Sequence, residues 1–167
     1  MKETPQQYIQ RIHAYIEGKN VMEVLASTPK QVAGLIESAP KDRLSKRPAP
    51  GKWSVIEILA HLADVEIVQG FRIRLILGSS GTAIQGFDQD AWARYSFYPS
   101  HDVALSLDGY RVNRERTVRL LQSLPNEMWE NFGLHSERGK ETVRRVSEMM
   151  AGHDLNHLGQ IQALLKG

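Results

Sequence analysis

The sequence predicts an all-α protein: a four-helix bundle with a helical N-terminal extension over residues 4–16 and a long loop between helices two and three. Three observations predict it. Apolar residues recur at spacings of three and four along several segments. No segment shows the period-two alternation of a half-buried strand. Capping residues, prolines and glycines divide the chain into helix-length pieces. The 167 residues suffice for one domain with a substantial core, spanning 1–167.

Each element has its own signal. Thr28-Pro29 reads as an N-cap followed by proline at the first helical position, with Gln31 completing a capping box; that helix runs to about Ser38. The stretch KDRLSKRPAPGK (41–52) is a basic, proline-containing loop. Ser54 and Glu57 form an S-x-x-E capping box at the head of a long helix over 54–77. This helix is apolar on more than one face, which suits a central position or a subunit contact. Residues 78–100, with glycines, a proline and several aromatics, form a long loop or a loop plus a short helix. The third helix covers about 102–123, with the seam Val103, Leu107, Tyr110, Arg114, Thr117, Leu121. Pro125 to Asn131 is a short connector, and the last helix runs from about Glu141 to Leu165.

Composition excludes several functions. The 21 Lys+Arg and 19 Asp+Glu leave a net charge of +2, too little to advertise a nucleic-acid partner. No apolar run reaches the length of a membrane span. The N-terminal MKETPQQYIQRIHAYIEGK lacks the apolar core of a signal peptide. With no cysteine, disulfides, thiolate metal ligands and cysteine nucleophiles are excluded. The expectation is a cytoplasmic protein.

The last helix carries the chemistry. Its seam is Val143, Val146, Met150, His153, His157, Ile161, Leu164, and at ~100° per residue these positions fall within roughly 80° of arc. Two histidines thus occupy positions where the stripe otherwise uses apolar side chains. At i,i+4 their imidazoles lie side by side, as two ligands of one metal would. Two core histidines satisfied by other partners are the alternative. HDLNH is not the metallopeptidase H-E-x-x-H, because Asp154 replaces the glutamate base and Gln160 stands where the extended pattern needs glycine. A third ligand is expected from upstream. His61, on the flank of the stripe Ile58, Leu62, Val65, is the best placed to meet the pair inside a bundle. His13 belongs to the extension, and His101 and His135 read as solvated surface. Arg114 occupies an apolar seam position. It either faces the site and binds an anionic group, reaches the surface, or pairs with an acid. Glu57, Asp64 and Asp154 are nominal bases, but no spacing singles out a catalytic residue.

GKWSVIEILAHLADVE, followed some ninety residues later by MMAGHDLNHLGQIQALL, resembles the DinB-like (DinB/YfiT) superfamily. The resemblance covers about residues 20–165. It implies a four-helix bundle, commonly a homodimer, with a three-histidine divalent metal site formed here by His61, His153 and His157. Three imidazoles without thiolate suit Zn, Ni or Fe(II) and leave positions open for water and substrate. The resemblance further implies a metal-dependent enzyme acting on a small-molecule substrate. It would be either a transferase using a low-molecular-weight thiol, like the mycothiol- and bacillithiol-dependent relatives, or a metal-water hydrolase. A non-catalytic, dimeric metal-binding stress-response bundle is the alternative.

Overall fold

The first long helix starts at Asn20, not at Thr28. Helix α2 spans Val21–Glu37, and the Asn20 side-chain oxygen accepts from the amides of Met22 (3.0 Å) and Glu23 (3.3 Å). Thr28 and Pro29, read above as a helix start, lie inside it. The Thr28 hydroxyl donates to the Val24 carbonyl at 2.6 Å. Pro29 has no N–H for the Leu25 carbonyl, which accepts instead from Arg114 Nη1 at 3.2 Å. The proline is tolerated mid-helix because a side chain from another helix takes the freed acceptor.

The computed structural model describes residues 3–166; Met1, Lys2 and Gly167, the ends of the expected 1–167 unit, lie outside the described residues. The remaining helices are α1 (Pro5–Ala14), α3 (Lys41–Leu44), α4 (Val55–Gly78), α5 (Gln89–Tyr95), α6 (Val103–Gln122) and α7 (Val143–Lys166). The bundle consists of α2, α4, α6 and α7. Around it α4 packs on α6, α6 on α2, α2 on α7, and α7 on α4. The chain therefore crosses a diagonal between α2 and α4 and again between α6 and α7. Simple up-and-down connectivity would join neighbours only. The expected boundaries of α4 and α6 agree with those observed, including the Ser54–Glu57 capping box. The expected extension is α1, which packs on α7. That approach requires Gly152, because a Cβ there would collide with the Ile12 carbonyl oxygen.

The helices are joined by one feature the periodicity does not foretell, a three-stranded sheet. Strands β1 (Thr82–Ile84), β2 (Phe132–His135) and β3 (Gly139–Thr142) pair in that order, β1 parallel to β2 and β2 antiparallel to β3. Strand β2 alternates in burial, but its inward residues are Gly133 and His135 and the buried residue of β3 is Glu141; only β1 turns an apolar residue, Ile84, inward. Gly133 is required, since a Cβ would strike the Ile84 side chain.

The apolar core has two halves. One contains Ile73, Ile76, Val118, Leu121, Val146 and Met150; the other contains Val32, Leu59, Leu62, Tyr110, Leu158 and Ile161. Between them lies a polar layer with one residue from each long helix: Thr28, Glu66, Arg114 and Asp154, all buried. Arg114 forms ion pairs with both Glu66 and Asp154, and its Nε donates to Glu66 Oε2 at 3.0 Å. Of the three roles read for Arg114 from the sequence, pairing with an acid is the one observed. Burial alone would lower its pKa, but the two carboxylates outweigh that and hold it well above the usual value. Among the described residues, no helix is long and apolar enough to cross a membrane.

Candidate metal centre

His61 sits in the second turn of α4, and His153 and His157 lie one turn apart on α7. Packing of α4 against α7 brings the three rings together. His61 Nε2 lies 2.9 Å from His153 Nε2, and His157 Nε2 lies 3.1 Å from the same atom. The three residues' candidate donor atoms all fall within 4.8 Å of one another, and all three residues are buried. Two nitrogens on one tetrahedral ion with ~2.0 Å bonds stand roughly 3.3 Å apart, so the observed spacing is of the right order.

The nitrogens cannot satisfy one another. A neutral imidazole has one N–H and one lone pair. His153 Nε2 is approached from two sides and can hydrogen-bond with only one neighbour. His61 Nδ1 and His153 Nδ1 are buried without partners. Protonation does not relieve this. Burial, with the neighbouring His157 adding to it, pushes His61 and His153 well below the usual histidine range, and burial holds His157 at about 4. Three neutral rings with converging lone pairs fit a divalent cation.

The surroundings orient the rings. His157 Nδ1 lies 2.8 Å from Gln160 Oε1, which fixes the proton on Nδ1 and leaves the Nε2 lone pair free. Trp53 packs on His61 with ring centroids 4.8 Å apart. The Ser54–Glu57 capping box, closed by Arg47 Nε at 2.8 Å, fixes the start of α4 nearly two turns before His61.

Two cavities meet at this cluster. One, of about 240 Å³, is bounded by His61, His153, Arg72, His135 and Glu141. The other, of about 590 Å³, is bounded by His153, His157, Trp53, Arg11 and Lys52. Tyr8 from α1 and Gln89 from α5 border both.

The nominal bases are all engaged elsewhere. Glu57 pairs with Arg47, Asp64 accepts from the Tyr98 hydroxyl at 2.7 Å, and Asp154 pairs with Arg114. Arg114 therefore does not serve as an anion contact. His135, expected on the surface, is buried on β2 and faces the smaller cavity. Strand β2 places it there, and no helical period marks that strand. Arg72 reaches the same cavity along one face of α4, where His61, Val65, Gln69 and Arg72 follow a 4,4,3 spacing.

Fold and site together define a diagonally connected four-helix bundle with an open three-histidine cluster able to take a divalent metal. The chain belongs to the DinB superfamily, whose sequence profile matches residues 25–161. It is 26% identical over 132 residues to a protein of Oceanobacillus iheyensis named "putative metal-dependent hydrolase", covering 78% of this chain and 75% of that one. It is 24% identical over 145 residues to Bacillus subtilis YfiT, which bears the same description, with 86% and 81% covered. The YfiT structure superposes with a TM-score of 0.82 at 20% identity over 99% of this chain and 89% of YfiT. It is described as a probable metal-dependent hydrolase with an unusual four-helix bundle topology. The two diagonal connections are a departure from simple topology in this chain as well.

Proposed function

We propose that this protein is a divalent-metal-dependent hydrolase whose metal ligands are His61, His153 and His157. The observation that carries the reading is the convergence of three neutral imidazoles, joined by no carboxylate among the described residues, where two cavities meet. Structural zinc takes four protein ligands, whereas three leave a position for water or substrate. A divalent ion held there would act as a Lewis acid and bring a bound water toward a pKa of about 7. The chain's own residues do the rest. Gln160 sets the His157 tautomer, Trp53 fixes the His61 ring, and Tyr8 on α1 walls the site. Zn, Ni and Fe(II) all suit the donor set.

The second cavity supports a variant of this reading, in which a low-molecular-weight thiol occupies one side and an electrophilic small molecule the other. In that variant the thiol replaces water as the nucleophile. The protein is read as a cytoplasmic homodimer. Ile67 and Phe71, one turn apart on α4, are more than half exposed and form the apolar face that a second copy would cover.

The test is elemental analysis and zinc titration of the wild type beside His61→Ala, His153→Ala and His157→Ala, with circular dichroism on each. The expected result is one ion per chain in the wild type, lost in each variant with helicity unchanged. An ester and amide screen, with and without thiols, then separates hydrolase from transferase. Failure of the wild type to take up Zn, Ni or Fe(II) would sink the assignment. Unfolding on metal removal would favour the non-catalytic, structural-metal alternative.

A further inference from the structure

Arg72 is a cation without an anion. Its side chain is 97% hidden from solvent, with 3% exposure, yet none of the ion pairs among the described residues includes it. No hydrogen bond or ion pair joins the guanidinium to a carboxylate; Glu141 and Glu137 act on it only at a distance. Nη2 donates to the Gln85 carbonyl at 2.7 Å and lies 3.4 Å from His135 Nε2, and the Phe87 ring sits 5.7 Å from the guanidinium carbon. The other buried arginine, Arg114, has two carboxylates. A buried, unpaired charge is costly unless a ligand completes it.

The nearby acids do not complete it. Glu141 is engaged by Arg138 through two bonds of 2.8 and 2.9 Å, and Glu137 is exposed at the cavity mouth. Burial, with Arg138 adding to it, draws Arg72 down to about 10, so it stays charged near neutral pH. Phe87 covers the guanidinium, while Nε and Nη1 make no recorded hydrogen bond to the protein among the described residues. Those N–H groups are suited to a carboxylate or phosphate oxygen.

Arg72 shares its cavity with His61 and His153. Eleven residues separate Arg72 from His61 on α4, ~16 Å along the axis, and a helical side chain leans back toward the N-terminus. The cavity thus reaches from Arg72 to the histidine cluster, and its 240 Å³ leaves room for a small organic anion. We infer that Arg72 anchors the anionic end of a short, linear substrate whose opposite end lies at the histidine cluster. This deepens the hydrolase reading and rests on it for the reactive end only; the anion anchor itself needs no metal.

The test is titration of metal-free and zinc-loaded protein with glutarate and, separately, inorganic phosphate. Binding is followed by calorimetry and by the Arg72 Nε–H signal in ¹⁵N NMR. In zinc-loaded wild type, glutarate is expected to bind at least tenfold more tightly than in Arg72→Gln, with Arg72→Lys in between and zinc stoichiometry equal in all three. The Arg72 signal should shift in wild type even without zinc. Preference for phosphate over glutarate would assign the anion as a phosphate. Equal binding by wild type and Arg72→Gln, or an Arg72 signal unmoved by either anion, would overturn the proposal. Failure of zinc uptake in wild type would overturn the metal reading alone, because the metal-free NMR arm tests the anchor independently of any variant's folding.

Discussion

His153 and Asp154 are adjacent in sequence and serve two buried polar clusters of opposite kind. Asp154 points to Arg114, where charge meets charge and the Leu25 carbonyl fills a further guanidinium bond. His153 points to His61 and His157, where three Nε2 atoms converge and their lone pairs cannot all be paired with one another. The first cluster is closed: its donors and acceptors are spent on one another, and it ties four helices together. The second is open, and its unsatisfied lone pairs are the property a ligand requires. Burial and polarity alone do not separate structure from function in this bundle; completeness of pairing does.

The comparison can be broken most severely at the closed cluster. Arg114→Met leaves Glu66 and Asp154 buried without a cation and is expected to cost about 3–5 kcal/mol in urea denaturation. Burial already pushes Glu66 up, with Arg114 opposing, so losing the arginine raises it further. A raised carboxyl contributes stability below its unfolded value and loses it as pH rises through the folded one. The deficit of this variant should therefore shrink on acidification. Replacing Glu66 and Asp154 by leucine in the same chain should recover most of the loss.

The open cluster responds to pH in the other direction. Its histidines have folded pKa values below the unfolded 6.5, so the unfolded chain binds more protons between the two. The metal-free protein should be at full stability above about pH 7 and lose stability as pH falls from 6.5 toward about 4. For His157 alone this amounts to about 3 kcal/mol. Thermal melts across that range measure it. A flat profile would mean the rings are less buried than described.

A gentler change sharpens the contrast. Gln160→Leu leaves all three histidines in place but removes the acceptor for His157 Nδ1. Zinc affinity should fall about 10- to 100-fold with little change in the metal-free melt. The equivalent loss of one bond in the closed cluster would register in stability instead.

The sequence reveals these two clusters unequally. His153 and His157 are visible because they interrupt an apolar seam of fixed period, and His61 because it lies on the flank of a second apolar stripe. Arg114 is visible as an anomaly, but its partners Glu66 and Asp154 stand 48 and 40 residues away, beyond the reach of any single helix's periodicity. Thr28-Pro29 misleads because a mid-helix proline needs a donor from elsewhere in the fold, and that donor is Arg114. His135 and Glu141 lie on strands whose inward positions are polar or glycine, so the usual hydrophobic signal is missing. The spacing from His61 places Arg72 on the site face of α4, but its unpaired state emerges only when every nearby carboxylate has been accounted for.

The closed cluster also bears on the order in which the molecule assembles. Its anchor points lie at residues 25, 66, 114 and 154, so no helical hairpin can complete it alone. Closing it requires all four long helices to arrive together, after the entropy of long loops has been spent. The network is therefore expected to form late in folding. Weakening it is then expected to raise the unfolding rate, read from urea-jump kinetics, more than it lowers the folding rate, as for a latch on the bundle rather than a nucleus for it.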